Sequence, residues 1–140
     1  MSKIAIVFWS GTGNTEAMAN AIADGAKGKG AEVEIFSPAD FSADSIANFD
    51  VIAFGCPAMG AEILEEDEFQ PMWDSVKNNL SGKKIALFGS YDWGDGEWMR
   101  TWEEEAVSLG AVMAADALIV NNTPDDEGIA KCNDLGSSIA

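Results

Sequence analysis

Ser10-Gly11-Thr12-Gly13-Asn14-Thr15-Glu16 gathers three hydroxyls, one amide and two glycines directly after the apolar run Ile4-Ala5-Ile6-Val7-Phe8-Trp9. Glycines let the backbone turn its N–H groups inward, and a helix beginning beneath them adds the positive end of its dipole. Such a loop can cradle an oxyanion, phosphate above all. A nucleoside-triphosphatase loop also needs a lysine to meet the outer phosphates, yet no Lys or Arg stands between Lys3 and Lys27. The dinucleotide fingerprint fails as well, because Glu16 occupies the place of its third glycine. What fits is a terminal phosphate monoester held by hydroxyls and amides without a cation.

Two further loops follow apolar runs and combine glycines, carboxylates and large flat or polarisable side chains. One is Gly55-Cys56-Pro57-Ala58-Met59-Gly60-Ala61-Glu62, leading into Glu65-Glu66-Asp67-Glu68. The other is Gly89-Ser90-Tyr91-Asp92-Trp93-Gly94-Asp95-Gly96-Glu97-Trp98. A thioether and an indole each pack well on a π face, so Met59 and Trp93 together suit a planar ligand. Cys56 reads as a packing residue, since a phosphatase loop of the Cys-x5-Arg kind would place arginine where Glu62 stands. Cys132 has no evident role. Trp73, Trp98 and Trp102 occupy helix-like positions that pack or cap, Trp98 alone being near enough to the second loop to join a partner surface.

The elements that position these loops are legible in the hydropathy. Ile4–Trp9, Val51–Phe54, Ile85–Phe88 and Ala117–Val120 are continuous apolar runs, the pattern of strands buried on both faces, and Glu32–Phe36 alternates. Met18, Ala21, Ile22, Gly25 and Ala26 repeat at helical spacing, and further helices are expected over about 69–80 and 97–109. The last helix is expected to start at Thr123-Pro124-Asp125-Asp126, with Thr123 as the capping hydroxyl and Pro124 in the first turn. Residues 41–49 read as a short or irregular helix. Alternation of about five strands with about five helices demands a doubly wound α/β parallel sheet, helices on both faces, with ligands beyond the carboxyl ends of its strands.

Composition narrows the chemistry further. The 140 residues suit a single domain, 1–140, with 47% hydrophobic and 23% charged residues. There is no histidine, so neither Ser/His/Asp nor Cys/His catalysis can operate within the chain. A net charge of −16 argues against nucleic acid or anionic lipid as partner. The first apolar run is too short for a signal-peptide core or a membrane span, and two distant cysteines imply no disulfide framework. A cytoplasmic protein is expected.

The three motifs, Phe8–Glu16, Gly55–Gly60 and Leu87–Gly94, together resemble a flavodoxin, and more narrowly the short-chain flavodoxins of anaerobic bacteria. The similarity runs almost end to end. Val112-Met113-Ala114 passes to Ala117-Leu118-Ile119-Val120 without the extra loop of the long-chain branch. The resemblance implies a five-stranded sheet of order 2-1-3-4-5, noncovalently bound FMN, and a low-potential one-electron carrier rather than an enzyme. It would cycle mainly between semiquinone and hydroquinone, in place of ferredoxin.

By position, Ser10, Thr12, Asn14 and Thr15 would bond the FMN phosphate with backbone N–H groups from Gly11 through Gly13 to Thr15. Met59 and Trp93 would face the two sides of the isoalloxazine ring. Gly60 would supply a peptide that turns its carbonyl toward flavin N5 on reduction, and Glu62 would accept from flavin N3–H. Ser90, Tyr91 and Asp92 would line the pyrimidine edge and ribityl chain, with Pro57, Ala58, Ala61 and Gly94 completing the two loops. Two positions depart from the family: Asp92 stands where glycine is usual, and Ala61 where close relatives often carry an acid.

The chemistry is coherent on its own terms. One electron and one proton turn N5 from acceptor to donor, so a carbonyl that swings in favours that form alone, and glycine tolerates the swing. A second electron brings negative charge near N1, which carboxylates and an un-neutralised phosphate oppose across a low-dielectric contact. The competing reading is an FMN enzyme that reduces quinones with nicotinamide. That reaction needs a second pocket and cations for a nucleotide, and this chain has neither an insertion nor many cations. The implied partners are redox enzymes with basic docking surfaces, such as pyruvate:ferredoxin oxidoreductase, hydrogenase and ferredoxin-dependent reductases, met by a monomer. Between Glu62 and Glu105 twelve acids stand against Lys77, Lys83, Lys84 and Arg100, so this stretch carries half of the −16, and most of its acids flank the two ring loops.

Overall fold

Successive residues of a strand face opposite sides, and here each central strand feeds two separate cores. Ala5, Val7, Ile52, Phe54, Ile85 and Leu87 point into one. Ile4, Ile6, Val51, Ala53, Ala86 and Phe88 point into the other. This is why these strands read as unbroken apolar runs. The structure is a computed structural model that describes all residues except Met1, Thr12, Gly60, Ala61, Glu62, Trp93 and Asp95.

Strands β1 (Lys3–Phe8), β2 (Glu32–Phe36), β3 (Val51–Gly55), β4 (Lys84–Tyr91), β5 (Val112–Met113) and β6 (Leu118–Asn121) alternate with helices. These are α1 (Asn14–Gly28), α2 (Phe69–Val76), α3 (Glu97–Ser108) and α4 (Asp126–Ile139). All pairings are parallel, in the order β2-β1-β3-β4-β5, with β6 also on β4. The order is the expected one. The fifth strand, however, is two segments: β5 pairs Lys84 and Ile85 at the start of β4, and β6 pairs Phe88 to Tyr91 at its end. Residues 114–117 bend between them.

The short or irregular helix expected over 41–49 is present as a 3-10 helix, preceded by another. Between β2 and β3 the chain makes two 3-10 turns, Pro38–Asp40 and Ala43–Asn48, where Phe41, Ile46 and Phe49 bury. The α4 cap does differ from the expected one. Asp125, not Thr123, is the capping residue, its Oδ1 accepting from the Gly128 N–H at 2.8 Å, so Pro124 lies before the helix. An ionised carboxylate satisfies an orphan N–H and the dipole together, which a hydroxyl does less well.

One core carries α2 and α3 and is aromatic. Trp73 and Trp102 meet edge to face at 5.6 Å, flanked by Phe54 at 5.3 Å from Trp73 and Phe69 at 5.4 Å from Trp102. The other core carries α1 and α4. Those helices approach closely, because Cβ atoms at Gly25 and Gly136 would overlap the Asn133 and Ile22 carbonyl oxygens. Small residues on these facing stripes let the two helices close one side of the sheet while α2 and α3 cover the opposite one. None of the described helices is long and apolar enough to cross a membrane.

Candidate functional site

The loops after β1, β3 and β4 emerge side by side because those strands are neighbours, and ladder bonds run past the strand ends. The Trp9 N–H donates to the Gly55 carbonyl at 3.1 Å. Cys56 N–H donates to the Phe88 carbonyl at 3.1 Å, and Ala58 N–H to the Ser90 carbonyl at 3.0 Å. The beginning of the 57–62 loop is thus an extension of the β3–β4 pairing, a rigid base for whatever the loop presents.

In the first loop, Gly13 has φ 94°, a left-handed turn that favours glycine, and caps α1. Its N–H donates to Ser10 Oγ at 3.0 Å, folding the loop over the helix end. The first helical bond runs from Ala17 N–H to the Gly13 carbonyl at 3.0 Å. The N–H groups of Asn14, Thr15 and Glu16 therefore precede the helical ladder and need partners outside it. Thr15 is only 1% exposed, and its hydroxyl lies 3.2 Å from that of Ser90, itself 4% exposed. The contact joins the phosphate-type loop to the end of β4. Gly11 packs against Trp9 so closely that a Cβ there would sit 2.9 Å from the indole ring.

This donor set fits the phosphate end of FMN: a turned glycine at Gly13, helix-end N–H groups ahead of the helical ladder, and hydroxyls, with no Lys or Arg among them. Ser10, Gly11, Gly13, Pro57, Ala58, Met59, Asp92 and Gly94 lie on the three neighbouring loops, and Asn14, Thr15, Ser90 and Tyr91 on the adjoining ends of α1 and β4. Pro57, Ala58 and Met59 are half-buried, and Met59 N–H donates to the Ile63 carbonyl at 3.1 Å. Thr12, Gly60, Ala61, Glu62 and Trp93, the remaining expected site residues, lie outside the described residues.

Trp98 is not at the surface: it is 2% exposed, donates its indole N–H to the Cys56 carbonyl at 3.2 Å, and packs on Tyr91 with centroids 5.7 Å apart. It supports the loops from below instead of meeting a partner. Cys56 is fully buried, and loss of solvation pushes its thiol up to about 12, so it stays neutral. The packing reading of Cys56 holds.

Three residues escape a reading of loops and motifs alone. Asn121, on β6, donates its amide to the carbonyls of Tyr91 at 3.2 Å and Asp92 at 3.3 Å, holding the second ring loop in place. Trp9 donates its indole N–H to Glu68 Oε2 at 2.7 Å. Glu65 looks like one of a run of solvated acids, yet it is 5% exposed and accepts from three backbone N–H groups, those of Asp67, Glu68 and Phe69. Burial pushes its carboxyl up, but those three bonds outweigh it and hold Glu65 below the usual carboxylate range. The only hint in the sequence is an acid a few residues ahead of a helix start, and the three acids that follow it disguise it.

Comparison with known proteins agrees with this geometry. The sequence pattern of the family described as Flavodoxin matches residues 6–136. The flavodoxin of Clostridium beijerinckii is 48% identical across 96% of this chain and 97% of its own length. That of Megasphaera elsdenii is 47% identical across 98% of each. The solution structure of two-electron reduced Megasphaera elsdenii flavodoxin superposes with a TM-score of 0.88, at 45% identity and 97% coverage of both chains. Oxidised Flavodoxin 1 from Bacillus cereus gives 0.87 at 31% identity, over 99% of this chain and 97% of that one. The phosphate-type loop, the two loops beside it and these likenesses lead to one conclusion: the chain belongs to the flavodoxin family and is an FMN-binding electron-transfer protein, not an enzyme.

Proposed function

We infer that this single domain holds the FMN phosphate in the 10–15 loop and the isoalloxazine ring between Met59 and Trp93. In this reading Ser10, Thr12, Asn14 and Thr15 supply side-chain donors to the phosphate, with the N–H groups of the α1 terminus beside them. Gly60 carries the peptide next to flavin N5, Glu62 accepts from N3–H, and Ser90, Tyr91 and Asp92 line the pyrimidine edge and ribityl chain. Pro57, Ala58, Ala61 and Gly94 shape the loop backbones. FMN, when bound, supplies reversible one-electron transfer; the chain's own work is to orient it, exclude water from one face and set the charge around it.

The observation that carries this reading is the Thr15–Ser90 hydroxyl contact at 3.2 Å, which ties the phosphate-type loop to a ring loop on a strand two places away in the sheet. One ligand can then span both. The carrier works as a cytoplasmic monomer, moving electrons at low potential between redox enzymes that present basic docking surfaces. Pyruvate:ferredoxin oxidoreductase, hydrogenase and ferredoxin-dependent reductases are partners of that kind.

Titration of the apoprotein with FMN, followed by spectroelectrochemistry of the complex, tests the assignment. Trp93→Ala should weaken FMN binding by about tenfold or more and move the lower of the two one-electron potentials. Gly60→Pro should bring the two potentials closer, because the pyrrolidine ring fixes φ and restricts the peptide's turn. Unchanged affinity and potentials in both variants would remove the 57–62 and 90–94 loops from the flavin site.

A further inference from the structure

We propose that Glu65 is a positioning residue for the ring-side loop: with Cys56 it pins both ends of residues 57–64, and this pinning sets FMN affinity and the spacing of the two one-electron potentials. The inference rests on the reading that residues 57–62 line the flavin ring.

The anchor begins at Cys56, where the β3–β4 ladder still holds the backbone through Cys56 N–H to the Phe88 carbonyl at 3.1 Å. Its sulfur accepts from the Glu65 N–H at 3.3 Å, so the chain leaves β3 and returns to the same point. Both residues are buried, at 0% exposure for Cys56 and 5% for Glu65, and Leu64 beside them is 7% exposed.

The carboxylate and carbonyl of Glu65 are in turn fixed to the start of α2 and the turn that leads into it. Oε1 accepts from the N–H groups of Glu68 and Phe69, each at 2.8 Å, and Oε2 from that of Asp67 at 2.9 Å. Its carbonyl accepts from Gln70 N–H at 2.8 Å. Consecutive N–H groups wrapped about a carboxylate form an anion nest, and here the anion is the protein's own side chain. Glu66, Asp67 and Glu68 are exposed, so the burial of Glu65 is not a property of the acidic run around it.

Two rigid elements, β3 and α2, therefore define where the loop must start and stop. Within it, the Met59 N–H donates to the Ile63 carbonyl at 3.1 Å. A loop whose ends are fixed loses less freedom on meeting its ligand, so the pinning favours affinity. It also restricts the orientations open to peptides between the anchors, and a protein discriminates redox states of a flavin by which orientation it allows.

A simple helix cap would stabilise α2 and do nothing else. The experiment therefore pairs Glu65→Gln with Cys56→Ala. Glutamine keeps one acceptor oxygen but turns an amide N–H toward the Asp67 N–H. Cys56→Ala leaves the whole carboxylate nest intact, changes no charge, and removes the sulfur that receives Glu65 N–H and donates to the Pro57 carbonyl at 3.6 Å, both contacts at the base of the loop. For each variant, FMN affinity of the apoprotein, both one-electron potentials, amide exchange at Glu68 and Phe69, and Tm are measured, with Trp93→Ala as the ring-site control.

Both variants should bind FMN about tenfold more weakly and show an altered spacing of the potentials. Amide protection at Glu68 and Phe69 should fall in Glu65→Gln and persist in Cys56→Ala. Because Cys56→Ala carries no charge change, a shift there is not an electrostatic effect of losing a carboxylate. A lower Tm with unchanged affinity and spacing in both, while Trp93→Ala still weakens FMN, overturns the pinning role and leaves the flavin site in place. No effect from any of the three overturns the flavin-site reading and the proposal with it.

Discussion

Trp9 and Glu68, far apart in sequence, are joined by an indole N–H to carboxylate bond of 2.7 Å. The bond ties the entry to the phosphate-type loop to the start of α2, the far support of the ring-side loop. The same indole lies against Gly11, where a Cβ would stand 2.9 Å from its outer ring. Trp9 thus limits position 11 to glycine by occupying space.

That occupancy gives a coupled prediction. Gly11→Ala should push the indole aside, lengthen its bond to Glu68 and weaken FMN binding by about tenfold. Phenylalanine lacks the outer ring that the new methyl would strike, so Gly11→Ala should cost clearly less in a Trp9→Phe background. A double-mutant cycle on FMN affinity measures the difference. Additive effects would show that the indole is not what excludes a side chain at position 11.

The Thr15–Ser90 pair makes a second prediction. Both hydroxyls are buried, at 1% and 4% exposure, and the Thr15 Oγ1 to Ser90 Oγ distance is 3.2 Å. Thr15→Val keeps the shape and leaves the Ser90 hydroxyl without this partner, which should cost about 1–3 kcal/mol in urea unfolding of the apoprotein. Adding Ser90→Ala removes the stranded group, so the double variant should lose less than the two single losses together. A double loss equal to their sum would show that the two hydroxyls do not depend on each other.

What the sequence makes legible follows from how each signal is encoded. Unbroken runs such as Ile4–Val7 declare strands buried on two faces, and the loop motifs follow them directly, so sheet order and loop positions are readable together. The break between Met113 and Leu118 is not, because both segments are short and pair with different parts of β4. Trp98 packs, as its helix-like position implies, but a place on a partner surface is closed to it because helix α3 turns it inward onto Tyr91 and the Cys56 carbonyl. Glu65 and Asp125 show the harder limit. Whether an acid is solvated or caps a helix depends on which N–H groups arrive near it, and that is decided by backbone geometry rather than by residue type.

The pH dependence of Glu65 follows from its environment. Burial opposes its charge, but the three N–H bonds prevail and lower its pKa in the folded protein. A depressed carboxylate contributes stability above its unfolded value of about 4.3, and that contribution is lost as pH falls through the folded value. The stability gap between the native chain and Glu65→Gln should therefore be flat from neutral pH down to about 5 and narrow below it. Unfolding free energies across that range check it. A gap that stays constant through the acid limb would mean the carboxylate's charge contributes nothing to the nest.

Charge along the sheet axis yields the last prediction. Lys3 and Lys84 begin β1 and β4, and Lys27 and Lys29 lie at the end of α1, all at the amino ends of the strands. Glu16, Glu66, Asp67, Glu68, Asp92 and Glu97 are exposed about the opposite end, beside the three loops. The three loops are therefore ringed by acids, while these four lysines stand at the end remote from them. Oxidation of the reduced holoprotein by a small cationic complex should be fast at low salt and slow as salt rises, while a small anionic oxidant should show the reverse slope. Raising salt from about 0.01 M to about 1 M shortens the screening length from about 30 Å to about 3 Å, enough to remove either bias. Glu66→Lys together with Asp67→Lys should flatten both slopes, whereas Lys27→Glu together with Lys29→Glu, at the remote end, should leave them nearly unchanged. Equal flattening by the two pairs would show that net charge alone steers the encounter and that its placement around the loops does not.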